Sequence, residues 1–184
     1  MLTMKDIVRD PAPILHKKAA AVDEIDEETI NQLKLMREYL INSQDPELSE
    51  KYGLRPGVGI AAPQVGIDKR MFVVYTEDED GNIEHDYMLI NPKIKSHSVT
   101  ETYLPGGEGC LSVDEDIEGL VHRYSRIKMQ ATTPDGEKIE IKAKGHLAIV
   151  LQHEFDHLNG VMFYEHIDKE MPLEPKIGAK ALEL

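Results

Sequence analysis

The stretch 146–160, HLAIVLQHEFDHLNG, limits what this chain can fold into more than any other. Leu147, Ile149, Val150, Leu151, Phe155 and Leu158 put apolar side chains on nearly every side of a helix. That pattern predicts a buried helix, not a surface one. Set into it are His153, Glu154 and His157. A four-residue step places two side chains on one face, a turn apart, so both histidines can reach one ion while Glu154 stands beside it. Polar groups in such a helix need partners, and a metal is one possible partner. H-E-x-x-H is the pattern in which two imidazoles hold the metal and the glutamate acts as general base. The competing reading is a pair of core histidines satisfied by hydrogen bonds. Asn159-Gly160 predicts the helix stop, since both tolerate the left-handed conformation.

A buried helix requires other layers around it. At 184 residues, 41% hydrophobic and 30% charged, the chain has the size and balance of one globular domain. No apolar run reaches the length of a bilayer span, and the opening MLTMKDIVRDP lacks a signal-peptide core. One cysteine excludes an internal disulfide and agrees with a reducing compartment. A cytoplasmic location is therefore expected. The net charge of −13 argues against a general nucleic-acid binder.

Residues 1–22 read as irregular, because Asp10-Pro11-Ala12-Pro13 forbids helix. Asp26 offers an N-cap to an amphipathic helix over 27–42, with Ile30, Leu33, Met36 and Leu40 at helical spacing. Residues 43–57, broken by Pro46, Gly53 and Pro56, read as a loop. MFVVYT at 71–76 predicts a strand, 77–82 a charged hairpin tip, and 87–91 the returning strand closed by Pro92. The acidic tip does not match the EF-hand spacing. Segments 127–131 and 138–142 alternate with period two around Thr133-Pro134-Asp135-Gly136, which predicts a hairpin with one buried face. Pro172 and Pro175 argue against a long helix in the tail. Short strands followed by a buried helix give an α+β architecture, antiparallel sheet packed around the H-E-x-x-H helix.

A catalytic metal usually keeps three protein ligands and one open position. Glu165, His166 and Asp168 lie downstream and Cys110 upstream; spacing alone does not choose among them. The run Gly57-Val58-Gly59-Ile60-Ala61-Ala62 fits a relaxed dinucleotide fingerprint, but no strand precedes it and Pro63 follows where a helix should start.

Three segments together are more specific. GVGIAAPQVG at 57–66, EGCLS at 108–112 and QHEFDHLNG at 152–160 resemble the three signature motifs of peptide deformylases, in that family's order and spacing. The opening DPAPIL and the hairpin between motifs resemble the family too, so the likeness covers nearly the whole chain. The insertion around 43–55 and the acidic hairpin near 77–86 resemble the longer, type 2 branch of Gram-positive bacteria. The resemblance implies one catalytic domain over 1–184 that removes the formyl group from N-terminal formyl-methionine. It implies that Cys110, His153 and His157 hold one divalent metal ion, Fe(II) in the cell, with Zn(II), Ni(II) or Co(II) as alternatives in a purified sample. Glu154 would be the acid/base; the Gln64 side-chain amide and the Leu111 N–H would meet the substrate oxygen. Gly59 would bond an extended peptide. Val58, Ile60, Gly109 and Val150 would complete the substrate site, and Glu108 would pair with Arg123 beneath the ligands. The implied partners are formyl-methionyl nascent peptides at the ribosome, met by a monomer with no DNA or membrane contact.

Overall fold

The computed structural model describes residues 1–183. Its first helix, α1 (Glu27–Gln44), starts where the Asp26 carboxylate accepts from the Thr29 N–H, and it buries Leu33, Met36, Tyr39 and Leu40. It runs two residues past the expected end. The loop expected over 43–57 instead contains a second helix, α2 (Pro46–Tyr52). Asp45 caps it by accepting from the Glu47 and Leu48 N–H groups, Pro46 opens it, and Gly53 closes it at φ +60°. No residue of α2 is buried, so no apolar stripe announces it in the sequence.

The strands follow as β1 (Gly59–Ala61), β2 (Met71–Glu77), β3 (Ile83–His97), β4 (Glu101–Tyr103), β5 (Arg123–Tyr124), β6 (Arg126–Thr132) and β7 (Lys138–Lys144). Helix α3 (Gly145–Leu158) comes next, and β8 (Lys180–Ala181) ends the order. A five-stranded antiparallel sheet runs β1-β2-β3-β6-β7; a smaller sheet runs β5-β4-β8, its β4–β8 pair parallel. The fold is thus α+β with antiparallel and mixed sheets. Strand β3 does not close at Pro92, as the sequence suggested. Its pairing with β6 skips between Ile90 and Lys93. Pro92 sits in that irregularity, where a missing N–H breaks no ladder bond.

Helix α3 and α1 cover opposite faces of the β1–β2 end of the large sheet. Phe72 and Val74 point to the α3 side with Leu89, Ile127, Met129 and Ile141, where they meet Leu147, Val150, Leu151 and Leu158. Met71, Val73 and Tyr75 point to the α1 side and meet Leu33, Met36 and Leu40. Burial on both faces explains why β2 reads as an unbroken apolar run. Each large core side chain contributes about 1.5–3 kcal/mol. Helix α3 ends at Asn159, and Gly160 (φ +72°) lets residues 16–17 cross at close range: a Cβ there would lie 2.6 Å from the His16 carbonyl carbon.

Candidate metal centre

Helix α3 carries His153 and Glu154 in the wall of a cavity of about 360 Å³, with His157 buried one turn further on. The loop holding Cys110 closes on it from 43 residues upstream in sequence. The Cys110 Sγ lies 3.3 Å from His157 Nε2, and one donor atom from each of Cys110, His153 and His157 falls within 4.8 Å of the others. A soft sulfur with two imidazole nitrogens is a donor set for a first-row divalent metal. Of the downstream candidates, none joins it. Glu165 accepts from the Met162 N–H, His166 bonds Asp156, and Asp168 accepts from the Glu170 and Met171 N–H groups.

His153 is held from behind. His153 Nδ1 lies 2.8 Å from Glu108 Oε1, which leaves Nε2 for another partner. Arg123 forks onto both oxygens of Glu108 at 2.7 and 2.8 Å, and also reaches Asp156 at 2.9 Å. Arg123 and Glu108 are buried. Burial by itself would raise the Glu108 pKa, but the bonds from Arg123 and His153 outweigh it and hold the carboxyl at about 2. A permanent carboxylate orients the ring it bonds, a common arrangement behind metal-binding histidines. Burial also works against a charged His153, yet its bonds to Cys110 and Glu108 raise its pKa well above the ordinary value. Burial, with His153 and Arg123 nearby, pushes His157 the other way and keeps it neutral. The three residues fit a metal ion by their donor chemistry and by the spacing of their donor atoms.

Two buried polar atoms here have no partner: Glu154 Oε2 and His157 Nδ1. Burial raises the Glu154 pKa to about 7, where a carboxyl serves equally as acid or base near neutrality. Its other oxygen abuts β1, since a Cβ at Gly59 would lie 2.6 Å from Glu154 Oε1. Only glycine permits that approach.

Gln64 is buried in the 3₁₀ turn Ala62–Val65. Its Oε1 accepts from the Ala61 N–H at 2.9 Å; its Nε2 lies 3.2 Å from Ser112 Oγ and 3.4 Å from Cys110 Sγ. The side-chain amide is thereby fixed in the cavity wall with its N–H groups towards Cys110 and Ser112. Among the described residues strand β1 pairs with β2 alone, so its other edge has no strand partner there, and Val58 and Gly59 line the cavity with Gly109, Leu111 and Val150. Ile60 does not. Its side chain is fully buried against the α1 side, as strand alternation requires once Gly59 faces the cavity. The sequence reading also passed over Arg55, Leu104, His146 and Ile149 in the cavity wall, and Asp156 behind Arg123. Of these, only Asp156 had a signal: a charged residue inside an apolar helix requires a partner.

Comparisons with known proteins match nearly the whole chain. The family model described as "Polypeptide deformylase" matches residues 4–172. "Peptide deformylase 2" of Bacillus anthracis is 55% identical over 184 residues, covering 100% of both chains. "Peptide deformylase" of Staphylococcus epidermidis is 55% identical over 179 residues, covering 95% of this chain and 96% of that one. The crystal structure of peptide deformylase from Thermotoga maritima superposes with a TM-score of 0.70 at 34% identity, over 88% of this chain and 96% of that one.

Proposed function

The chain belongs to the polypeptide deformylase family, and from that premise we propose how its residues divide the work of the family's reaction. The enzyme hydrolyses the formyl amide at the N-terminal formyl-methionine of new proteins, releasing formate and a free amine. Cys110, His153 and His157 hold one divalent metal ion; when bound, the ion supplies Lewis acidity that makes water a nucleophile near neutral pH. Glu154 takes a proton from the attacking water. Its pKa of about 7 and its unpartnered oxygen suit that task. As the C–N bond breaks, Glu154 returns a proton to the departing amine.

The Gln64 amide and the Leu111 N–H donate to the oxygen on which charge develops; one such donor is worth about 2.7–4 kcal/mol. The peptide lies as an added strand along the free edge of β1, bonded by Gly59. Val150, Leu111 and His153 wall the methionine side chain, with Ile149 beside them. Glu108 and Arg123 orient His153 from behind. The domain acts as one catalytic unit, a cytoplasmic monomer meeting nascent chains at the ribosome. Fe(II) is the cellular metal. Zn(II), Ni(II) and Co(II) compete for the same donors in a purified sample. With iron bound beside the Cys110 thiolate, oxygen inactivates the enzyme.

The observation that carries this reading is one sulfur and two nitrogens within 4.8 Å, next to a buried glutamate with a free oxygen. Formate release from formyl-Met-Ala-Ser, measured together with metal content, tests it. Cys110→Ala is expected to lose both; Glu165→Ala and Asp168→Ala keep both. Retention of metal and turnover by Cys110→Ala overturns the ligand assignment.

A further inference from the structure

The outer face of β6 and β7 carries charges that the fold itself does not want. Register places Arg126 opposite Lys144 and Lys128 opposite Lys142. Like charges directly across an antiparallel pair are destabilising. Lys138 and Lys93 extend the same face, Lys138 opposite Thr132 and Lys93 opposite Gln130. Among the described residues, only Lys128 has a carboxylate within reach, Glu140 at 3.9 Å. The inner face of the same strands is apolar and packs under α3, so nothing in the core requires cations outside. Between the strands runs an open groove of about 420 Å³ lined by Arg126, Lys128, Lys142 and Lys144, with Ser96 and Ser98 adding hydroxyls. All this stands on a protein of net charge −13, whose remaining surface repels polyanions.

We propose that this face docks the phosphate backbone of RNA. Two rows of cations, stepped by about 6.7 Å along each strand, offer several simultaneous phosphate contacts and no means of reading bases. The choice of RNA rests on the function proposed above: nascent formyl-methionyl chains emerge from a machine built largely of RNA. The groove lies on the side of the sheet away from α3. Docking there leaves the cavity open to an arriving chain end.

The test uses a fluorescein-labelled RNA hairpin and the double variant Lys142→Glu, Lys144→Glu, whose new carboxylates face Lys128 and Arg126. The wild type binds the hairpin with an affinity that falls steeply as salt rises. The variant binds at least tenfold more weakly, with a flatter salt dependence. Because its cross-strand pairs are now of opposite charge, its melting temperature rises. Formate release from formyl-Met-Ala-Ser stays within about twofold of wild type, which separates this inference from the deformylase reading: failure of turnover in both proteins would sink that reading and leave the docking face standing. Equal RNA affinity of the two proteins overturns the proposal. So does RNA binding lost only together with thermal stability, or tighter wild-type binding to phosphatidylserine vesicles than to RNA.

Discussion

Helices α1 and α3 press on opposite faces of one sheet, yet they handle polar residues in opposite ways. Helix α1 is amphipathic: its charged residues face water, its N-terminus is capped by Asp26, and its inward side is Leu33, Met36, Tyr39 and Leu40. Helix α3 has no side-chain cap and is buried nearly all round, yet it takes Gln152, His153, Glu154, Asp156 and His157 inside with it. Almost every one is repaid by a named partner. Gln152 bonds the Tyr124 backbone in both directions, and Asp156 meets Arg123 and His166. The exceptions are the free oxygen of Glu154 and the free nitrogen of His157, and they lie in the metal centre. An unsatisfied buried polar atom is a cost that folding alone would remove, so a helix that retains it does so for its chemistry.

That contrast can be broken at four places, in falling order of effect. Glu154→Gln keeps shape and hydrogen-bonding capacity; it is expected to leave fold and metal content intact while lowering kcat by about 10²–10⁴. Circular dichroism, metal analysis and formate release on one preparation check this. Glu108→Gln takes away the buried carboxylate onto which Arg123 forks and leaves Asp156 as its remaining one. The expected loss is about 3–5 kcal/mol of stability in urea unfolding, and metal affinity falls roughly 10–100-fold as His153 loses its orienting carboxylate. Leu33→Ala on α1 removes fully buried apolar surface and costs about 2–5 kcal/mol, but formate release per folded molecule stays unchanged. If Leu33→Ala altered kcat as Glu154→Gln does, the division between scaffold helix and working helix would be wrong. Asp45→Ala removes the cap of the exposed α2 and costs about 1 kcal/mol, read as a small shift in the unfolding midpoint.

Where local signals were strong, the sequence and the fold agree. Periodicity located α1 and α3, the Thr133–Gly136 turn located the β6–β7 hairpin, and Asn159-Gly160 marked where α3 stops. Where a segment depends on its neighbours, they part. Helix α2 buries no residue and reads as loop, although Asp45, Pro46 and Gly53 are its start and stop signals. Strand β3 passes Pro92 because β3 itself bulges there, its three steps from Ile90 to Lys93 facing two steps of β6 from Thr132 to Gln130. Ile60 turns away from the cavity because strand alternation commits it to the other face once Gly59 must lie against Glu154.

By itself, the sequence determined that a buried helix would carry two imidazoles and a carboxylate on adjoining faces, since helical geometry relates residues four apart wherever the helix is placed. It also determined the donor types available for a metal. Spacing did not choose the third donor; the resemblance of the EGCLS segment pointed to Cys110, and the tertiary structure brings its sulfur beside the imidazoles. It alone seated Asp156 behind Arg123, and it alone set Arg126 and Lys128 of β6 opposite Lys144 and Lys142 of β7. Those relations join residues tens of positions apart, and sheet register and core packing, not local propensity, set which distant side chains meet.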